Sequence, residues 1–211
     1  CAIAMVRKEP AHPGVAGTDG SMMLLALSAL AAPPSDATCD TLSLALARIE
    51  LPDRPEGGPD FWWMDPNPCG QYGQLAGIAP PEGEDVWCEE RKKKNGRRTR
   101  FTADGKVTLE TRFLNDEEVG PRVGWDPMSR RVVSLTPLRK GQPHGRSVVW
   151  TPEGTLATTW VKGVKQGFSW TLDERGRITA VESWVDGVRS GRSCAWRDGV
   201  LQVDHLVIPT P

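Results

Sequence analysis

The residues of this chain that could do chemistry fall into three sets: five cysteines, three histidines and one dense basic run. The run "RKKKNGRRTR" (91–100) carries seven positive charges, on Arg91, Lys92, Lys93, Lys94, Arg97, Arg98 and Arg100. Near an anionic membrane each such charge is worth about 1 kcal/mol, so the run predicts attraction to an acidic lipid surface or another polyanion. The competing expectation is a solvated hairpin neutralised by the acidic stretch 82–90 just before it. Aromatic side chains do not interleave with these cations, so nucleic acid is not an expected partner.

The cysteines are Cys1, Cys39, Cys69, Cys88 and Cys194. They form no C-x-x-C pair and no histidine stands at ligand spacing, which predicts neither zinc nor any other cofactor. In an oxidising compartment they would pair with each other instead. Cys69 and Cys88 bracket a Gly- and Pro-rich loop, and closing about 20 residues stabilises a fold by on the order of 3 kcal/mol. Cys39 is the main competing partner for that bridge. Cys194 could be drawn as a nucleophile with His205 as its base, but in the repeat described below it takes the place of Val148, a small apolar core position. His144 falls in a turn and His12 near the start. G-x-S-x-G, the P-loop, the dinucleotide fingerprint and H-E-x-x-H are absent, and Asp116, Glu117 and Glu118 read as solvated turn charges. The expectation is a protein that is not an enzyme.

The elements that would carry these residues are suggested by composition. A length of 211 residues allows one or two domains. Nine Trp stand against four Phe and one Tyr, and 22 Gly and 18 Pro argue for many turns rather than a helical bundle. Residues 1–90 hold 4 Lys/Arg and 14 Asp/Glu, a net of −10; the remainder holds 22 and 13, a net of +9. Two regions with different surfaces are implied.

The front of the chain reads as three pieces. The apolar run from Met22 to Ala32 has the length of a signal-peptide core and is too short to span a bilayer. Ala29-Leu30-Ala31 supplies a small-x-small cleavage pattern, and Met5 with Arg7 and Lys8 a start and a basic flank. Export is therefore expected, to a periplasmic, secreted or envelope-associated location; an ordinary buried helix is the alternative. After this 1–32 segment comes a leader (33–86) in which "CDTLSLALARIELPD" predicts a short helix and Pro52 to Glu84 mostly loop.

From 87 to 207 the chain repeats. Gly96, Gly120, Gly145, Gly167 and Gly191 recur every 22 to 25 residues. Five residues after each stands a large side chain: Phe101, Trp125, Trp150, Leu172 and Trp196. A turn follows ("TADGK", "DPMSR", "TPEGT", "DERGR", "RDGV"), and a second run ends in Phe113, Leu138, Trp160 or Trp184. Runs such as "GRSVVW" and "RITAVESWV" are rich in β-branched and aromatic residues, and the glycines supply the positive φ that tight hairpin turns need. This pattern predicts an all-β fold, an antiparallel meander of consecutive hairpins with an irregular N-terminal segment. The expected core is a ladder of those nine large side chains on one face of a single-layer sheet, with Trp170, two residues off the ladder, in an exposed stripe beside it.

The phrases "FLNDEEVG", "LRKGQPHG", "WVKGVKQG" and "WVDGVRSG" resemble the "YxNGxxxG" theme of the MORN repeat family, whose units of about 23 residues form successive hairpins. Trp or Leu replaces the usual Tyr, Asp116 replaces a glycine, and the second unit lacks its turn glycine. The resemblance covers more than half of the chain and is greatest to bacterial variants, some of which are labelled toxin–antitoxin antitoxins. Upstream, "CGQYGQLAGIAPPEGEDVWCEERKKKNGRRTRF" is similar to a leader found before MORN-like repeats in exported myxobacterial proteins. That likeness implies that Trp87 and Cys88 begin the first strand and that Cys69–Cys88 staples a cap onto the open sheet edge. The family implies scaffolding, protein–protein contact or membrane association, with an antitoxin role as a further alternative.

Overall fold

A computed structural model describes residues 37–208. The signal-like segment, with Cys1, Met5 and His12, lies outside the described residues. The repeat folds into one antiparallel sheet of thirteen strands, open rather than closed into a barrel. The strands are β1 (Gln74–Ile78), β2 (Asp85–Glu90), β3 (Lys93–Phe101), β4 (Val107–Leu114), β5 (Glu117–Trp125), β6 (Val132–Arg139) and the short β7 (Gln142–Pro143). They continue as β8 (Gly145–Thr151), β9 (Gly154–Val161), β10 (Val164–Leu172), β11 (Ile178–Val185), β12 (Val188–Arg197) and β13 (Val200–Val207). Each pairs with its sequence neighbour, except that β7 pairs only with β6 and the path continues from β6 to β8. This is the expected hairpin meander.

Turn chemistry explains the order. Lys162-Gly163 and Asp186-Gly187 both have positive φ at the two central positions, 49° with 82° and 47° with 82°, the geometry of the mirror-image turn that matches strand twist. The second glycine of each repeat phrase is not a turn residue, contrary to the reading of both glycines as hairpin turns. It lies inside a strand, directly opposite the repeat's large side chain: Gly96 faces Phe113, Gly120 faces Leu138, Gly145 faces Trp160 and Gly167 faces Trp184. A bare backbone position lets the neighbouring ring lie close, and it takes the positive φ of the adjoining bulge, 115° at Gly96. In the second unit, which lacks a turn glycine, Arg130 takes the left-handed position at φ 57°, and the pairing shifts by one between Gly124 and Trp125, as it does before Phe101 and Leu172 in other units, so that Trp125 stands opposite Val132.

The nine large side chains do not share one face. Phe101, Trp125, Trp150, Leu172 and Trp196 lie on the face that carries the core, whereas Phe113, Leu138, Trp160 and Trp184 lie on the opposite one. Nor is the first set the centre of the core. The most deeply buried side chains are Val86, Val132, Val148, Val181 and Trp170, the last only 2% exposed. Trp170 is thus a core residue and not part of an exposed stripe.

The sheet also has a second layer, built by the leader. Helix α1 (Cys39–Ala47) starts at a capping box in which Thr38 and Thr41 each bind the other's backbone amide, and it buries Cys39, Leu42 and Leu46. These pack on Ala157, Trp170, Val181 and Cys194. The chain then crosses the same face toward the early strands, tied by Arg146 donating to the Glu50 carbonyl (3.3 Å) and by Arg54 donating to the Val132 carbonyl (2.5 Å). At Trp62 and Trp63 it builds a second core with Val86, Cys88, Phe101, Val107, Trp125 and Val132. The Trp62 indole donates to Thr99 Oγ1 at 2.8 Å, satisfying both buried groups.

Two disulfides fasten this strap at its ends. Cys69–Cys88 joins it to β2, and Cys39–Cys194 joins α1 to β12 across 155 residues of sequence. Cys194 is therefore neither a nucleophile nor a plain core residue. The sheet itself begins earlier than expected: residues 74–78, assigned to loop, form β1 against β2. Gly77 permits this, because a Cβ there would stand 2.2 Å from the Asp85 carbonyl oxygen and 2.7 Å from the Trp87 ring.

Candidate interaction face

Since successive residues of a strand point to opposite sides, the face away from the leader is fixed by register. One row of cross-strand partners runs across it without interruption from β4 to β13: Leu109, Gly124, Ser134, Val149, Leu156, Thr171, Ala180, Ala195 and Val203. No member is charged. The row spans eight strand intervals, or about 38 Å. Val149 and Leu156, opposite each other at its middle, are 36% and 39% exposed. Sequence reasoning missed this row because it followed only large side chains. Its signal was present nonetheless for every member but Val203, since each of the other eight sits four residues after a repeat glycine or four before a large repeat side chain.

Beside this row run the second set of large side chains and their cations. Lys94 Nζ lies 4.5 Å from the centre of the Trp87 ring and 5.4 Å from that of Phe113. Lys165 Nζ lies 4.1 Å from the Trp184 ring and 5.9 Å from Trp160, whose indole donates to Ser147 Oγ at 2.7 Å. A cation held over a ring is worth about 0.5–1 kcal/mol at an exposed site and keeps the ring from being a bare apolar surface. Ion pairs Arg98–Asp85, Arg122–Glu118 and Arg189–Glu182 complete the edge of the face. The hydrogen bonds that Arg98 donates to Asp85 hold its guanidinium above its ordinary pKa, so it stays charged.

The seven cations of 91–100 are not brought together. Arg91 and Lys92 form the β2–β3 turn with φ of 51° and 62°, and Lys93 follows them, exposed. Lys94 and Arg98 are occupied on the free face, and Arg100 stands exposed at the head of the uncharged row, opposite Leu109. Arg97 points the other way, gripping Asp60 of the leader with two hydrogen bonds of 2.6 and 3.0 Å. Strand alternation and the bulge at β3 disperse the run, and a continuous anion-binding patch is not formed.

Arg97 also reaches Glu110 (3.4 Å), which accepts from the Trp125 indole at 3.0 Å. Arg97 and Glu110, together with Asp60, Arg112, Pro121 and Val123, line a recess of about 290 Å³. Burial raises the Glu110 pKa, with Asp60 adding to the effect and Arg97 opposing it. A carboxyl whose native pKa is raised binds its proton more tightly folded than unfolded, so its contribution is fully present at low pH and is lost as pH rises through and above the ordinary carboxylate range. Urea titrations of wild type and Glu110→Gln should show a stability difference, wild type minus variant, that is larger near pH 4 than near pH 7. Equal differences at the two pH values would show that Glu110 is not desolvated.

Among the described residues no group of three or more His, Cys, Asp or Glu is placed to hold a metal ion, and no helix is long and apolar enough to cross a membrane. The two disulfides are compatible with an oxidising compartment. No family model matches the chain, and no curated protein matches it either. The MORN resemblance accordingly rests on the four repeat phrases alone.

Proposed function

We propose that this is an exported, non-catalytic binding or scaffold module whose free sheet face docks a protein partner. The observation that carries the reading is the uncharged row from Leu109 to Val203 beside the cation-capped aromatic rungs. One face of the sheet is occupied by a strap fastened at both ends, so the opposite face is the one on offer. An uncharged row bordered by Trp and Arg has the composition of protein–protein interfaces, whose centres are depleted of charge. Export is supported by the disulfides and by the signal-like segment before residue 33. Binding of the 91–100 segment to an acidic lipid surface is the weaker reading, because three of its seven cations are held inside the protein's own contacts.

The test is capture from the native cell envelope by full-length chain, wild type against Leu156→Asp. Leu156 is half exposed, so a charge there should leave the fold intact while losing a specific partner at least about tenfold, the cost of desolvating an unpaired carboxylate. Equal capture by both proteins would sink the reading; capture of anionic vesicles alone, abolished by raised salt, would favour the lipid alternative.

A further inference from the structure

We propose that β13 is a homodimerisation edge, pairing antiparallel with β13 of a second copy of this chain about a two-fold axis at Val203. This goes beyond the docking role of the free face and does not depend on it. Among the described residues β13 ends the sheet: β12 lies on one side of it and nothing on the other. Proteins normally blunt such an edge with lysine, proline, a very short strand or a covering loop. The strand "VLQVDHLV" has eight residues with no lysine or proline, no described residue covers it, and its one irregularity against β12 is confined to its start, opposite Ala195 and Trp196. Instead it exposes aliphatic side chains, with Val200 61%, Leu206 53% and the following Ile208 76% exposed. The opposite edge is a poorer template, since β1 has five residues and a glycine among them.

The identity of the occupant follows from charge and register. The strand's one carboxylate, Asp204, is engaged by Arg192 of β12 at 2.5 Å, so the edge presents no free anion to a basic partner. Centred on Val203, two copies oppose Val200 to Leu206, Leu201 to His205 and Gln202 to Asp204. Val200 meets Leu206, Val203 meets its own copy, and no like charges face each other. Moving the axis to Asp204 would set two carboxylates opposite each other. The same axis carries the uncharged row onward, from Ala195 and Val203 of one copy into Val203 and Ala195 of the other. A self-complementary edge closes as a pair, whereas β13 on β1 would be head-to-tail and grow without limit. The dimer would present two free faces in one continuous sheet.

Light scattering coupled to size exclusion, on the full chain over a wide concentration range, reads the proposal directly. Wild type should run at about twice the mass of one chain. Val203→Lys with Leu206→Lys should run at the mass of one chain with unchanged far-UV circular dichroism. Val203→Cys, on the axis, should yield a covalent dimer, and Val149→Cys, far from it, should not. A single-chain mass for wild type at all concentrations overturns the proposal, as does a Lys variant that stays dimeric. Particles that lengthen with concentration overturn it in favour of β13 on β1. A monomeric result leaves the docking role of the free face standing, since Leu156→Asp tests that separately.

Discussion

Replacing Trp170 with Ala is expected to lower the unfolding free energy by about 3–5 kcal/mol, the range for truncating a fully buried aromatic side chain. The ring is the largest fully buried side chain among the described residues, and its two cross-strand partners, Ala157 and Val181, are small and completely covered. Small partners leave room for the indole between sheet and helix, where it meets the core formed by Leu42 and Leu46 of α1. They also mean that nothing nearby can expand to refill the space. Arg146 is set 5.3 Å from the ring centre and is partly buried itself, which lowers its pKa. Losing the ring removes that cation's apolar support as well. Trp184→Ala provides the contrast: its ring is half exposed on the free face, under Lys165, and should cost less than half as much. Urea unfolding followed by circular dichroism measures both. Equal losses would contradict the assignment of the two tryptophans to different faces.

Removing the Cys39–Cys194 bridge, as Cys39→Ala with Cys194→Ala, should cost about 2–5 kcal/mol, as loss of a structural disulfide does. The bridge closes 155 residues, and chain entropy alone for a loop of that size is on the order of 5 kcal/mol, against about 3 kcal/mol for the short Cys69–Cys88 loop. Its local effect should exceed its global one. Helix α1 has nine residues, too few for stability in isolation, so it is held on the sheet by its three buried side chains and this bond. Without the bond the helix should lift, and amide exchange should quicken in β9 to β12 before it does in β2 to β6. An exchange pattern unchanged in β9 to β12 would show that the helix needs no staple.

Both results bear on what could be read in advance. Hairpins, turns and meander topology were legible because the forces that set them act over a few residues: a Lys-Gly or Asp-Gly turn and alternation along a run of β-branched residues. The short helix was legible in the apolar run of Leu42, Leu44, Leu46 and Ile49, while its capping box at Thr38 was not read. The single-face ladder was not a sound inference. Spacing gives position along a strand, but the face depends on parity: Phe101 is an odd five residues from Gly96, so it lies on the side opposite to Gly96 and its partner Phe113, and the irregularities between strands shift register by one or two residues more. The basic run failed likewise, since Arg97 and Arg98 are neighbours in sequence and point to opposite sides of the sheet.

The sequence by itself therefore determined the strands, the turns that join them and their order in the sheet. Only the tertiary structure decided which side of that sheet is covered. The leader's route over the β2–β12 face is set by contacts between residues far apart in the chain, such as Leu42 with Val181 and Trp62 with Thr99. Apolar burial is non-directional, so Leu42 and Trp62 declare that they will be buried without declaring against what. Cys39 could not be matched to Cys194 for the same reason: pairing follows proximity of Cα atoms, here 5.7 Å, which 155 intervening residues leave open until the sheet has formed.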